Sequence, residues 1–484
     1  MKKELRNSEE GGFEKNRLFS VRLLPALLMG KLLILLTRLL GRGGTTLPGR
    51  VALKINPKVT DLLAKGLTKG TVLVTGTNGK TTTAALIHSI LSAAGYRCIH
   101  NQAGSNLAWG VASALIGAAG AGGQIKADYA VLEVDEGAFP GMVQATDPVC
   151  LVVTNVFRDQ LDRYGEIDYI RAAIGRGLEA QRKDGLQVIN ADEPSLTGLV
   201  RDSIREIWTY GMELELPEGS FKNTGRDIKS CPLCGDPLDY DRLFYAHLGH
   251  YRCPRSHYRR PEPEVKLVAY DERTTGEGAV LTVQLPDRIE LKLQSPLPGT
   301  YNLYNVLAAL TCAAALKIEP EIITGALEKT EPSFGRMEQF EFEGKKLTLA
   351  LIKNPVGANE VLRTVMTHRG RINLLVAIND KIADGRDVSW LWDVDFEQLE
   401  AAGDKLRTAM VSGIRAWDMA VRLKYAGLEP DRITVIEETE RAVKAALEKT
   451  DPGETLFVLP SYTVMLEIRK ALNRLGLGKP YWES

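Results

Sequence analysis

The run Thr75-Gly76-Thr77-Asn78-Gly79-Lys80-Thr81-Thr82-Thr83 combines glycines, a lysine and hydroxyls in the way a phosphate-gripping loop requires. Glycines let the backbone approach the anion, and amides at a helix start point toward it. Lys80 neutralises the outer phosphates, and the Thr81 hydroxyl can hold magnesium. Val74 stands where the longer phosphate-loop pattern has its first glycine, so this is a short variant. Gly76, Thr77, Asn78, Gly79, Lys80, Thr81 and Thr82 are therefore the candidate ATP contacts. A second run, Val131-Leu132-Glu133-Val134-Asp135-Glu136-Gly137, puts carboxylates at a strand end, where a parallel sheet faces its nucleotide. Glu133 is the candidate second magnesium ligand.

Such a loop needs a strand before it and a helix after it. Val72–Thr75 is β-branched and apolar, and Thr81–Ala94 repeats apolar residues at helical spacing until Gly95. Further strand candidates are Tyr129–Val134, Cys150–Thr154 and Gln187–Ile189, so Thr71 to Pro194 reads as a doubly wound parallel sheet. Strand-like runs resume at Val265–Tyr270, Ala279–Leu285 and Ile289–Leu293. Beyond Gly335, apolar runs Leu347–Ile352, Ile372–Ile378, Ala409–Val411 and Leu456–Leu459 predict a second, Rossmann-like α/β unit. The expected organisation is an N-terminal amphipathic segment (1–50), an ATP-binding unit (51–334) and a C-terminal unit (335–484).

At 484 residues the chain exceeds a single core, which stops growing near roughly 250–300 residues. Basic and acidic residues balance at 61 each, so no global field favours nucleic acid, and any nucleotide must be bound locally. Leu23 to Leu40 is strongly apolar but is interrupted by Lys31, and its uninterrupted runs are shorter than the ~20 residues a span needs. The expectation is a cytoplasmic protein whose N-terminal helix either packs on the body or lies on the inner face of the cell membrane, snorkelling Lys31 and Arg38.

Cys98, Cys150 and Cys312 are scattered, whereas Cys231, Cys234 and Cys253 crowd a segment (222–263) rich in histidine, tyrosine and proline that interrupts the α/β rhythm. Cys231-Pro232-Leu233-Cys234-Gly235 is a zinc-knuckle half-site, and Cys253 supplies a third thiolate. His257 is the candidate fourth ligand, with His247 and His250 close enough in sequence to compete. A zinc here would be structural, since a small loop-rich insertion has little apolar surface with which to order itself.

Several motifs resemble the central domain of Mur ligases: the TGTNGKTTT loop, the Glu133 strand, Thr154-Asn155-Val156-Phe157-Arg158-Asp159-Gln160, Asn190-Ala191-Asp192-Glu193-Pro194, Gly299-Thr300-Tyr301-Asn302-Leu303-Tyr304-Asn305 and Gly335-Arg336. The resemblance implies that ATP converts a carboxylate to an acyl phosphate which an amine attacks. It also implies that Asn305 meets the adenine and Arg336 the nucleotide. Asn302 and Asn305 would otherwise read as a helix start with a capping asparagine. Gln160 replaces the usual Mur ligase histidine, Ile174 falls where several members carbamylate a lysine, and Ala350 replaces an aspartate ahead of Asn354-Pro355.

Those departures, with FRDQLDRYGEID, IKNPVGANEVL and NDKIADGRDVSWLWDVDFE, resemble the MurT family, the ligase-type subunits of lipid II isoglutaminyl synthase. Its members carry a cysteine-rich insertion. The likeness to this family implies amidation of the D-glutamate α-carboxylate of lipid II with MgATP, and a heterodimer with a GatD-like glutaminase that supplies ammonia. By the same likeness, Asp387 would complete the partner's Cys-His-Asp constellation, although it could equally cap a helix beginning near Ser389. Trp390 and Trp392 read as partner anchors or as core. The alternatives are a Mur- or folylpolyglutamate-type ligase that adds an amino acid, and a silent subunit that regulates a glutaminase.

Overall fold

Runs such as Val72-Leu73-Val74 and Leu151-Val152-Val153 are apolar at every position, the pattern of strands covered on both faces. The computed structural model of the chain describes residues 23–39, 45–101, 104–158, 167–215, 228–272, 278–330 and 336–477, and places these runs in the middle of a nine-stranded sheet. Its strands are β1 (Gly70–Thr75), β2 (Cys98–His100), β3 (Tyr129–Glu133), β4 (Cys150–Val153), β5 (Leu186–Asn190), β6 (Glu206–Met212), β9 (Val265–Glu272), β10 (Ala279–Gln284) and β11 (Glu290–Ser295). Between β6 and β9 the hairpin β7 (Asp239–Tyr245) and β8 (Leu248–Arg252) forms its own two-stranded sheet.

The spatial order is β11-β10-β9-β6-β5-β4-β1-β3-β2. Pairing is parallel from β2 through β9, and β10 and β11 turn back antiparallel. β1 lies between β3 and β4, so the chain after β1 enters the crevice where the strand order reverses, the place a doubly wound sheet offers a ligand. The register sets Val74 opposite Glu133 and Thr75 opposite Val153.

Helices in chain order are α1 (23–39), α2 (Leu47–Ile55), α3 (Val59–Ala64), α4 (Lys80–Ala93), α5 (Ala108–Ala118), α6 (Phe139–Thr146), α7 (Ile167–Ala180), α8 (Pro194–Val200), α9 (Thr300–Ala315) and α10 (Pro320–Glu328). α4, α9 and α10 pack on one face of the sheet through Leu86, Ile90, Leu307 and Ile323. α1 to α3 and α5 to α8 cover the other through Leu27, Leu63, Leu115 and Ile174. Among the described residues no helix is long and apolar enough to cross a membrane.

A six-stranded second sheet has the order β12-β13-β17-β14-β15-β16: β12 (Arg336–Phe342), β13 (Lys345–Ala350), β14 (Ile372–Ala377), β15 (Leu406–Ser412), β16 (Ile433–Val435) and β17 (Thr455–Pro460). Only edge strand β12 runs antiparallel to its neighbour. α11 (Pro355–Thr367), α12 (Gln398–Ala401), α13 (Ala416–Tyr425), α14 (Thr439–Lys449) and α15 (Tyr462–Arg474) flank this sheet around two apolar cores.

Candidate active site

The loop from β1 to α4 needs glycine at two places. Gly76 has φ +123°, and a Cβ there would lie 2.3 Å from Thr154 Oγ1; Gly79 has φ +87°, and a Cβ would lie 2.1 Å from Asn305 Oδ1. The end of β4 clamps the loop from the side. Asn155 accepts from the Asn78 N–H (2.9 Å) and donates to the Asn78 carbonyl (3.0 Å), while Thr154 Oγ1 donates to the same carbonyl (2.7 Å). The Thr77 amide donates to the Asn155 carbonyl, and the Thr77 hydroxyl exchanges hydrogen bonds with the Phe157 backbone. Thr77 thus holds the loop to the strand. The closeness of the two segments comes from sheet order, which the motif by itself does not carry.

Lys80 is buried at the start of α4, and its ammonium donates to the carbonyls of Gly76 (2.5 Å) and Thr77 (3.1 Å). It also lies 3.2 Å from both carboxylate oxygens of buried Glu136. In the sequence Glu136 is only one of several acids after β3; its distance to Lys80 singles it out here. Glu133, at the end of β3, is fixed by Asn101, which accepts from the Glu133 N–H and donates to its carbonyl, and by Asn106, which donates to Oε1. Its Oε2 is buried with no hydrogen-bond partner among the described residues. An orphaned carboxylate oxygen beside a phosphate loop fits a hard cation, which takes oxygen ligands.

Asn305 reaches this loop from α9. It lies buried with Oδ1 against Gly79 and within 3.4 Å of the Thr83 hydroxyl, while its amide donates to Asn302 Oδ1 and Asn302 donates to the Pro298 carbonyl. Neither asparagine occupies the cap position of α9, which is Gly299. Between the two sheets lies a cleft lined by Asn78, Gly79, Thr82, Asn305 and three tyrosines, Tyr245, Tyr301 and Tyr304. Ala350 lines it from the second sheet. Asn354 caps α11 and donates to Asn78 Oδ1 (3.0 Å), so the second sheet touches the phosphate loop directly. Arg336 opens β12 opposite Ala350; its side chain, and the whole of Asp159 and Gln160, lie outside the described residues.

Tyr245 comes from the cysteine-rich insertion, a contribution that composition does not signal. Phe157 packs edge-on against both Tyr245 and His247, with ring centroids 5.1 and 4.8 Å apart. Farther out, Sγ of Cys231, Cys234 and Cys253 and a ring nitrogen of His257 lie within 4.8 Å of one another. Cys234 and Cys253 are 3.7 Å apart, and Cys231 is 3.5 Å from His257 Nε2. Bonds of about 2.3 Å to sulfur and about 2.0 Å to nitrogen in a tetrahedron give separations of about 3.8 and 3.5 Å, so the four residues fit one zinc ion. The two turns are knuckles with positive φ at Gly235 and Ser256. His247 and His250 are elsewhere: His247 is buried 3.2 Å from Glu193, and His250 lies 2.8 Å from the Met212 carbonyl.

Beneath the cleft, buried Asp192 bonds Arg260 (2.5 Å), the Met212 amide and the Tyr304 hydroxyl. Burial raises its carboxyl above the ordinary range, with Arg260 pulling the other way. In the loop that follows β14, Asp387 accepts from the Ser389 N–H (2.8 Å), which lowers its carboxyl from the ordinary value. It therefore does brace the short helical turn Ser389–Asp393. Trp390 packs against the core and Trp392 is 54% exposed. Arg422, buried, donates to the carbonyls of Leu391 and Val394 and to Glu397, and lies over the Trp392 ring.

A short phosphate loop between two α/β units that meet over it defines a Mur-type ATP-dependent ligase. A pseudomurein peptide ligase type C from Methanothermus fervidus shares the fold, with a TM-score of 0.63 at 22% identity over 88% of this chain and 83% of that one. So does the MurF ligase of Thermotoga maritima solved with ADP, at 0.60 and 14% over 88% and 85%. The Mur ligase middle-domain family matches residues 74–228, and the MurT ligase C-terminal family matches 351–465. A lipid II isoglutaminyl synthase subunit MurT of Staphylococcus aureus is 33% identical over 93% of this chain and 97% of its own length; its Streptococcus pneumoniae counterpart is 34% identical over 90% and 93%. The chain belongs to the MurT family.

Proposed function

We propose that the chain uses MgATP to phosphorylate the D-glutamate α-carboxylate in the stem peptide of lipid II, and that ammonia then displaces phosphate to leave the amide, D-isoglutamine. The carboxylate oxygen attacks the γ-phosphorus and ADP departs. Nitrogen forms the new bond to carbon, phosphate takes the electrons of the old one, and the spare proton leaves with solvent. The arrangement of Lys80, Asn78 and the open oxygen of Glu133 around one loop carries this reading. Lys80 would exchange its loop carbonyls for phosphate oxygens, Thr81 and Glu133 would hold magnesium, and Asn305 with Tyr245 would hold the adenine. Magnesium supplies charge neutralisation on the phosphates.

Amidation, as opposed to addition of an amino acid, is favoured by Ile174, which is buried in the core where related ligases place a carbamylated lysine. None of the six cysteines suits glutamine hydrolysis. Cys150 and Cys312 are buried, Cys98 is pushed up by burial, and the other three form the ligand cluster. A partner glutaminase is therefore part of the proposal, with Asp387 orienting its histidine. Exposed Trp392, Tyr425 and Trp417 offer anchors nearby. We assign zinc to Cys231, Cys234, Cys253 and His257 as a structural ion in a ribbon-like insertion. The lipid substrate implies a peripheral position at the inner face of the cell membrane.

Mass spectrometry of a lipid II analogue incubated with MgATP, ammonium and the chain tests the reaction. Heavy nitrogen from labelled ammonium should replace one carboxyl oxygen at D-glutamate, and Lys80→Ala should abolish it. An added amino acid would make the chain a conventional Mur ligase, full amidation by the Lys80→Ala chain would remove Lys80 from the reaction, and no amidation by the unmodified chain while it still binds a glutaminase would leave it a silent subunit.

A further inference from the structure

α1 has three sectors. With successive side chains about 100° apart around a helix, Leu23, Ala26, Leu27 and Gly30 fall on the face packed against the body. Gly30 meets Ile116 of α5 and Ala52 of α2, and Leu23 and Leu27 approach Gly123. Roughly opposite, Leu24, Leu28, Leu32, Leu35, Leu36 and Leu39 form a stripe about 120° wide. Leu28 is 53% exposed, Leu35 57% and Leu39 74%. Single exposed leucines need no explanation, but a contiguous row along an entire helix does. The third sector, along one edge of the stripe, carries Lys31 and Arg38.

We propose that this stripe docks α1 on an anionic lipid surface, lying parallel to the membrane plane. The inference deepens the peripheral position proposed above, and its purpose rests on that reading. The charge pattern selects the occupant. A chain that is neutral overall has nine lysines and arginines and no acid between Glu14 and Asp61, the stretch containing α1 and α2. Cations flanking an apolar stripe match acyl chains beneath anionic headgroups. A second copy packed through the same stripe would bring two cationic segments together with no acid in either to neutralise them. The geometry favours lying flat over spanning: the described part of α1 is about 25 Å long, short of the ~30 Å hydrocarbon core, and one of its faces is buried against the protein. The docked helix adjoins the site, since α5 beneath it begins just after Asn106, which bonds Glu133.

Co-sedimentation of the full chain with vesicles free of any cell-wall precursor tests docking apart from chemistry, so its failure and a failure of the ligase reading are separate results. The chain should bind phosphatidylglycerol vesicles, bind phosphatidylcholine vesicles weakly, and lose affinity as salt rises. Leu28→Glu/Leu35→Glu should lower binding at least about tenfold while ATP binding is retained. Lys31→Glu/Arg38→Glu, at a half-buried and an exposed position, should remove the preference for phosphatidylglycerol; this pair carries the test if the leucine variant fails to fold. Absence of binding by the unmodified chain, or variants that both bind phosphatidylglycerol vesicles as well as the unmodified chain does, overturns the proposal. So does a dimer in sedimentation velocity that Leu28→Glu/Leu35→Glu dissociates, which would make the stripe a contact between copies.

Discussion

Glu360, on the inner face of α11, should make the protein less stable as pH rises toward neutrality. Its side chain is buried, Arg363 is bonded to it at 2.5 Å, and burial lifts its carboxyl to about 7 from an ordinary 4.5, against the pull of that guanidinium. The folded state therefore holds this proton more tightly than the unfolded chain does. Its contribution is fully present below about pH 4.5 and is lost as pH rises through about 7. At about 1.4 kcal/mol per pH unit over that interval, ionisation costs the folded state on the order of 3 kcal/mol. Glu360→Gln keeps an acceptor for Arg363 and never ionises, so it should flatten this slope. Differential scanning calorimetry from about pH 5 to about pH 8 measures it. For a unit the size of the second sheet and its helices, the variant should gain roughly 6–12 °C at the upper end and little at the lower. Parallel pH slopes for the two proteins would refute the reasoning, because the buried carboxyl would then be charged throughout.

Gly79→Ala should weaken ATP binding by at least about tenfold in a fluorescent-nucleotide titration, since the new methyl meets Asn305 in a left-handed backbone that costs about 1–2 kcal/mol. Removing metal with a chelator, or substituting Cys253→Ser, should leave less than stoichiometric zinc by elemental analysis, and should lower the melting temperature because the β7–β8 module loses its staple. Arg422→Ala removes a buried donor from the Leu391 carbonyl, from the Val394 carbonyl, which keeps the Phe396 N–H, and from Glu397, and should cost about 2–4 kcal/mol in denaturant unfolding. Asp387→Asn should reduce glutamine-driven amidation on the order of a thousandfold while ammonium-driven amidation persists; equal loss of both would assign Asp387 to the turn alone.

The strand–loop–helix of the candidate phosphate loop is legible in the sequence because what shapes it locally is contiguous: strand, glycines, Lys80, helix. The place of Glu133 is legible for a related reason, as the carboxylate that ends a β-branched run. What the sequence leaves out are partners brought in by topology. Glu136 lies 56 positions from Lys80, and Thr154 and Asn155 reach the loop only because β4 is β1's neighbour. β6, with the sequence Glu-Ile-Trp-Thr-Tyr-Gly-Met, has a glycine and no clean alternation, yet tertiary pairing on both sides makes it a central strand. Three histidines within eleven residues could each have joined the cysteines. The hairpin decides among them by turning His247 inward to Glu193 and leaving His257 beside Cys231.

α11 ties these parts together more firmly than the surface contacts do. Its cap, Asn354, donates to Asn78 in the phosphate loop, and one turn later Asn359 accepts from the Asp395 N–H at 2.7 Å, at the end of the tryptophan turn that comes after Asp387. A more visible link, the Arg158–Asp393 ion pair, is 3.5 Å long and about half exposed at both ends, so solvent and salt leave it worth little. The Asn359 bond is partly sheltered and directional. A displacement of α11 that relieves or tightens the Asn354–Asn78 contact cannot leave the tryptophan turn in place without stretching that bond. Under the proposed reaction, one helix therefore joins the loop that would hold the nucleotide to the turn that follows Asp387, and Asn359→Ala is expected to lower glutamine-driven amidation more than ammonium-driven amidation without changing ATP affinity.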